Sequence, residues 1–134
     1  MHTELKRLLE QIAREDVSVL EEKGKTYGDS WKRRGGVGAF MMLARKWDRL
    51  ENVCRVFHWD VFDAVASDGE ADAEGVLDDI ADLRRYLLLV ESEVRTQMMD
   101  PFTAGAVRAM AKSDAEEVKQ AMREHAASIR SQGE

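Results

Sequence analysis

Two pairs of carboxylates are spaced for chemistry. Asp48 and Glu51 stand three residues apart, and so do Asp79 and Asp82. Helical residues three apart share a face, so each pair would project from one side of its helix. Two antiparallel helices could then bring four hard oxygen donors over one site. Such a set suits Mg²⁺ or Mn²⁺ bridged to substrate phosphates. The ordinary alternative is a solvated helix face, with Glu51 paired to Arg55. Two details favour a site. Asp82 is flanked by Ile80, Ala81 and Leu83, and Asp48 follows Trp47. Carboxylates beside an apolar face need partners, and a metal supplies one.

A second constellation occupies residues 23–38, with five glycines, five basic residues, Tyr27 and Trp31. Arg45 and Lys46 follow closely. Backbone amides near Gly35, Gly36 and Gly38 could approach an anion at a helix start. Tyr27 and Trp31 could stack on a base or sugar. The spacing is not that of a Walker phosphate loop, and no strand precedes it as in a dinucleotide fingerprint. The plain alternative is a basic surface loop. His2, His58 and His125 are scattered and read as structural or surface residues, and nothing suggests a nucleophile elbow.

Composition narrows the classes. The 134 residues suit one domain, read as 1–134, with a core over about 3–98 and a C-terminal helical extension over about 101–130. Lys and Arg number 20 against 26 Asp and Glu, a net charge of −6, which argues against a nucleic-acid-coating protein. Cys54 is the single cysteine and reads as a core residue, so neither a disulfide nor a cysteine metal cage is expected. With no signal peptide and no apolar run long enough to span a bilayer, the expected setting is the cytoplasm, without membrane partners.

The elements that would position these residues are helical, because apolar residues recur at helical period and strand signals are nearly absent. The expected class is all-α, a bundle of four to five helices. The first runs over about 3–22 on Leu5, Leu8, Leu9, Ile12, Val19 and Leu20, with Gly24 as its stop. Residues 23–38 form a long loop. The second helix starts near Val37, runs past Phe57 and can continue to Val65. Residues 67–75 are an acidic loop. The third major helix, about 73–98, is the most apolar and forms the centre of the domain. Asp100-Pro101 reads as an N-cap with proline at the first helical position. Ser113 and Glu116 read as a capping box for a last helix reaching about Ile129.

At these residues the sequence resembles the all-α nucleoside triphosphate pyrophosphohydrolases, the MazG-like superfamily. Asp79-Ile80-Ala81-Asp82-Leu83 looks like the family's acidic pair entering an apolar helix, and the segment from Lys46 to Glu51 sits where its first pair belongs. The loop Lys25-Thr26-Tyr27-Gly28-Asp29-Ser30-Trp31 is similar to that of phage and bacterial proteins associated with nucleotide modification. Phage purine deoxynucleotide diphosphohydrolases belong to the same neighbourhood. The likeness covers about 21–94. The resemblance implies Mg²⁺ or Mn²⁺ held by Asp48, Glu51, Asp79 and Asp82, with Asp78 as an alternative ligand. It implies Glu51 orienting water and Lys46, Lys25 and Arg34 stabilising the phosphates. Tyr27 and Trp31 would hold the base. Substrates would be (deoxy)nucleotides, purine dNTPs such as dGTP or dATP first, in a homodimer or homotetramer of a bacterial or phage-infected cell. The pairs here are Asp-x-x-Glu and Asp-x-x-Asp rather than the family's longer carboxylates. That difference keeps two other classes open: a nucleotide-binding module without turnover, and a helical interaction protein.

Overall fold

A computed structural model describes residues 1–67 and 75–132. The described residues are all-helical. In chain order they are α1 (Thr3–Tyr27), a 3₁₀ turn (Ser30–Lys32), α2 (Gly35–Val56), α3 (Val61–Ala66), α4 (Val76–Met98) and α5 (Pro101–Gln132). Helix α4 is central: it packs against α1, α2, α3 and α5, with α2 as its main partner. Lys46 meets Asp82 and Arg49 meets Asp79, so three residues forward on α2 is three back on α4. The two helices are therefore antiparallel. The acidic loop expected over 67–75 lies mostly outside the described residues.

Three boundaries differ from expectation. Gly24 does not end α1, which continues to Tyr27. A mid-helix glycine costs only about 1 kcal/mol relative to alanine, and good helix formers surround this one. The stop is Gly28, at φ 54°, whose N–H donates to the Gly24 carbonyl. Glycine meets this left-handed conformation without a Cβ penalty. The expected long loop thus shrinks to a short connection around the 3₁₀ turn.

Helix α2 stops at Val56 instead of continuing past Phe57. His58 and Trp59 both take positive φ, 54° and 68°, and Trp59 N–H donates to the Cys54 carbonyl at 2.8 Å. Asp60 then starts α3, its side chain accepting from the Phe62 and Asp63 amides. A carboxylate that captures two backbone N–H groups competes with helix continuation, and this one wins.

The third difference lies in α5, a single helix in which Ser113 is an interior residue. Asp100 caps it, accepting from the Thr103 amide at 3.0 Å. Between Pro101 and Ser113 four of the eleven residues are alanine and none is proline, so the helix runs through Gly105. Glu116 pairs with Lys119 at 3.3 Å instead of closing a box. Cys54, read as core, is half-buried.

Candidate functional site

The best-defined polar cluster lies where α1 and α2 meet the first half of α4. Asp82 is its hub. Its carboxylate accepts from Lys46 Nζ of α2 at 2.8 Å and from Lys23 Nζ of α1 at 3.4 Å, and Arg85 lies one turn along α4 at 3.5 Å. Burial pushes the Asp82 carboxyl up, but the Lys46 hydrogen bond and the charges of Lys23 and Lys46 outweigh it. The group is held below its ordinary value. Asp79, buried on the same helix, pairs with Arg49 Nε at 3.1 Å.

Asp16 fixes α1 to this cluster. It is 1% exposed and takes hydrogen bonds from Arg84 and Arg85, with Arg84 Nη2 and Arg85 Nε both at 2.9 Å. The Arg84 hydrogen bond is the main cause holding its carboxyl below the ordinary range. The cluster thus contains Asp16, Asp79 and Asp82 against Lys23, Lys46, Arg49, Arg84 and Arg85. Glu15, whose charge also acts on Arg84, joins them, so among the described residues four negative charges face five positive ones at one junction of a chain whose net charge is −6. Such a local surplus attracts an anion.

The four carboxylates expected to share a metal do not meet. Lys46 and Arg49 turn one face of α2 toward α4. Each helical residue rotates the side chain by about 100°, so Asp48, two places on from Lys46, points away. Asp48 is exposed, Glu51 is half-buried, and neither makes an ion pair with a described residue. Arg55 does not bridge to Glu51; it lies over the Trp59 ring, 5.7 Å from its centre. Asp78 is exposed. Among the described residues no three His, Cys, Asp or Glu side chains are grouped to hold a metal ion. As placed, these carboxylates do not fit a shared Mg²⁺ or Mn²⁺: Asp79 and Asp82 face cations, and Asp48 faces solvent.

The remaining expected residues are spread along the approach to the cluster. Tyr27 is exposed and follows Lys23 by four residues, so both lie on one face of α1. Lys25 is exposed and pairs with Glu22 at 3.2 Å. Trp31 is half-buried in the 3₁₀ turn. Its neighbour Lys32 sits 5.8 Å from the Trp31 ring centre and pairs with Glu93 of α4 at 2.7 Å. That bond clamps the turn to α4, and the Lys32 hydrogen bond is the main cause lowering the Glu93 pKa. Arg34 is exposed at the start of α2, about 18 Å along the helix from Lys46. Gly38 packs beneath it: a Cβ there would lie 2.8 Å from Arg34 Cβ.

Sequence reasoning did not single out Asp16, Arg49, Arg84, Arg85 or Glu93. Asp16 carried a usable signal. It lies four residues after Ile12 and three before Val19, inside the apolar stripe of α1, where a charge requires a partner. The arginines carried none, because their partners are distant in sequence. Neither a protein-family model nor a curated protein nor a solved structure matches the chain.

Proposed function

We propose that this chain is a nucleotide phosphohydrolase of the MazG-like kind, acting on nucleoside or deoxynucleoside triphosphates with purine dNTPs first among them. The observation that carries the reading is the convergence of Lys23, Lys46 and Arg85 on Asp82, inside a locally cationic junction of an acidic protein. Asp82 holds these cations in place, and phosphate oxygens arriving at the junction would share them. Stabilising charge on a phosphate chain in this way is the main contribution a protein makes to phosphoryl transfer. Tyr27, exposed one turn beyond Lys23, would stack on a base whose phosphates lie at Lys23 and Lys46. The role of Glu51 in orienting water rests on the sequence resemblance alone.

A second reading is favoured by the same geometry. Asp79 and Asp82 already have cationic partners, as suits a module that binds a nucleotide without turning it over. Incubation of a full NTP and dNTP panel with Mg²⁺ or Mn²⁺, resolved by chromatography, separates the two. The hydrolase reading expects turnover of one or two nucleotides and at least a tenfold loss in Asp82→Asn. The binding reading expects no turnover, with tighter nucleotide binding in Asp82→Asn, whose lysines are released for phosphate. Neither turnover nor binding of any nucleotide would overturn both and leave the helical interaction protein.

A further inference from the structure

Asp16 has more cations than its charge requires. Arg84 alone satisfies it: Nε donates to one carboxylate oxygen and Nη2 to the other, so a single guanidinium fork takes both. Asp16 is buried, and with that fork its ion pair is complete. Yet Arg85 also donates to it, through Nε, at 2.9 Å. Two guanidiniums on one buried carboxylate leave a positive charge over. Arg85 turns that charge toward Asp82, with Nη1 3.5 Å from Oδ1.

The two lengths decide which carboxylate holds Arg85. A hydrogen bond from N–H to oxygen runs to about 3.2 Å. The contact with Asp16 lies inside that range and the contact with Asp82 outside it. Asp82 is already engaged by Lys46 at 2.8 Å and approached by Lys23 at 3.4 Å. A third cation there is repelled by two neighbours of its own sign. A long arginine side chain so placed relaxes toward water unless another group holds it. Asp16 is that group: it grips Arg85 at Nε, from a different helix, and the Nη end faces the junction. Arg85 is only 20% exposed, so the fork is fixed in place as well as charged. A fixed guanidinium meets phosphate oxygens with a rigid pair of donors and loses little freedom in doing so.

We propose that Asp16 is a positioning residue for the phosphate site: through Arg85 it fixes a guanidinium beside Asp82, while its bond to Arg84 serves the packing of α1 on α4. The proposal rests on the nucleotide reading and adds to it a group on α1 that touches no phosphate itself. Calorimetric titration of dATP and dGTP, paired with thermal melts, tests it in the wild type, Asp16→Asn, Arg85→Ala and the double variant. Asp16→Asn should weaken binding about tenfold, the scale of one charge-assisted hydrogen bond. Arg85→Ala should weaken it at least as much. In the double variant binding should fall no further than in Arg85→Ala. Its melting temperature should fall further, because Arg84 has still lost its partner. Should Asp16→Asn not fold, two conservative variants decide. Arg85→Lys cannot bond Asp16 and reach the junction at once, and should weaken binding about tenfold. Arg84→Lys, which leaves Arg85 on Asp16, should stay within about twofold of the wild type. A wild type that binds neither nucleotide would overturn this proposal together with the purine dNTP reading. A wild type that binds would overturn this proposal alone if Asp16→Asn bound equally well, if the two losses multiplied in the double variant, or if the two lysine variants behaved alike.

Discussion

The two faces of α2 carry opposite charges and treat them differently. On one, Lys46 and Arg49 are engaged by Asp82 and Asp79 of α4, and Lys46 is mostly buried. On the other, Asp48 and Glu51 make no ion pair with any described residue. Spacing makes Asp48 and Glu51 look like twins of Asp79 and Asp82. The antiparallel register decides otherwise, because two residues of rotation carry a side chain to the far side of a helix. A charge pattern thus reports which residues share a face, and the packing partner decides whether that face does anything.

The largest expected effect follows from comparing Asp16 with Asp48. Asp16→Asn leaves Arg84 and Arg85 without their buried counter-charge and should cost about 3 kcal/mol in chemical denaturation. Both arginines keep some access to water, so the loss sits at the low end for broken buried pairs. Asp48→Asn, on an exposed position, should change stability by less than about 0.5 kcal/mol. Equal effects would break the comparison.

A pH series sharpens it. Asp16, Asp82 and Glu93 all titrate below their ordinary values. Their unfolded forms, with pKa about 4, bind protons first on acidification. The stability these groups contribute is therefore full above about pH 4–5 and is lost as pH falls through the folded values. The denaturation midpoint should drop steeply below about pH 4, and the drop should be shallower in Asp16→Asn. A midpoint that rises on acidification would contradict the pairing.

The smallest effects concern two glycines at the start of α2. A Cβ at Gly36 meets nothing within 4 Å, so Gly36→Ala should stabilise by about 0.5–1 kcal/mol through the helix propensity of alanine. Gly38→Ala should lower the melting temperature instead, because its Cβ collides with Arg34 Cβ. Thermal melts of the two variants should move in opposite directions.

Much of the fold was legible in the sequence. The helical periodicity of Val76, Leu77, Ile80 and Leu83 marked α4, and that helix is the one on which α1, α2, α3 and α5 all pack. The break after α2 was not legible, since it depends on His58 and Trp59 accepting positive φ where no glycine stands. Nor was the unbroken α5, because a Ser-x-x-Glu signal at Ser113 is silent when a helix already runs through it. Of the candidate site, Asp79, Asp82 and Lys46 come together as neighbours across α2 and α4, while Asp48 and Arg34 do not join them. Their positions depend on helix register and on where α2 begins, which single-chain spacing does not encode.

The central claim is that the Lys23–Lys46–Arg85 junction receives the phosphates of a nucleotide. Calorimetric titration of purine dNTPs into the wild type and Lys46→Ala tests it most directly. Saturable binding to the wild type is expected, with at least tenfold weaker binding to the variant and helicity unchanged. Equal affinity in the two, with both folded, would place the nucleotide elsewhere and contradict it.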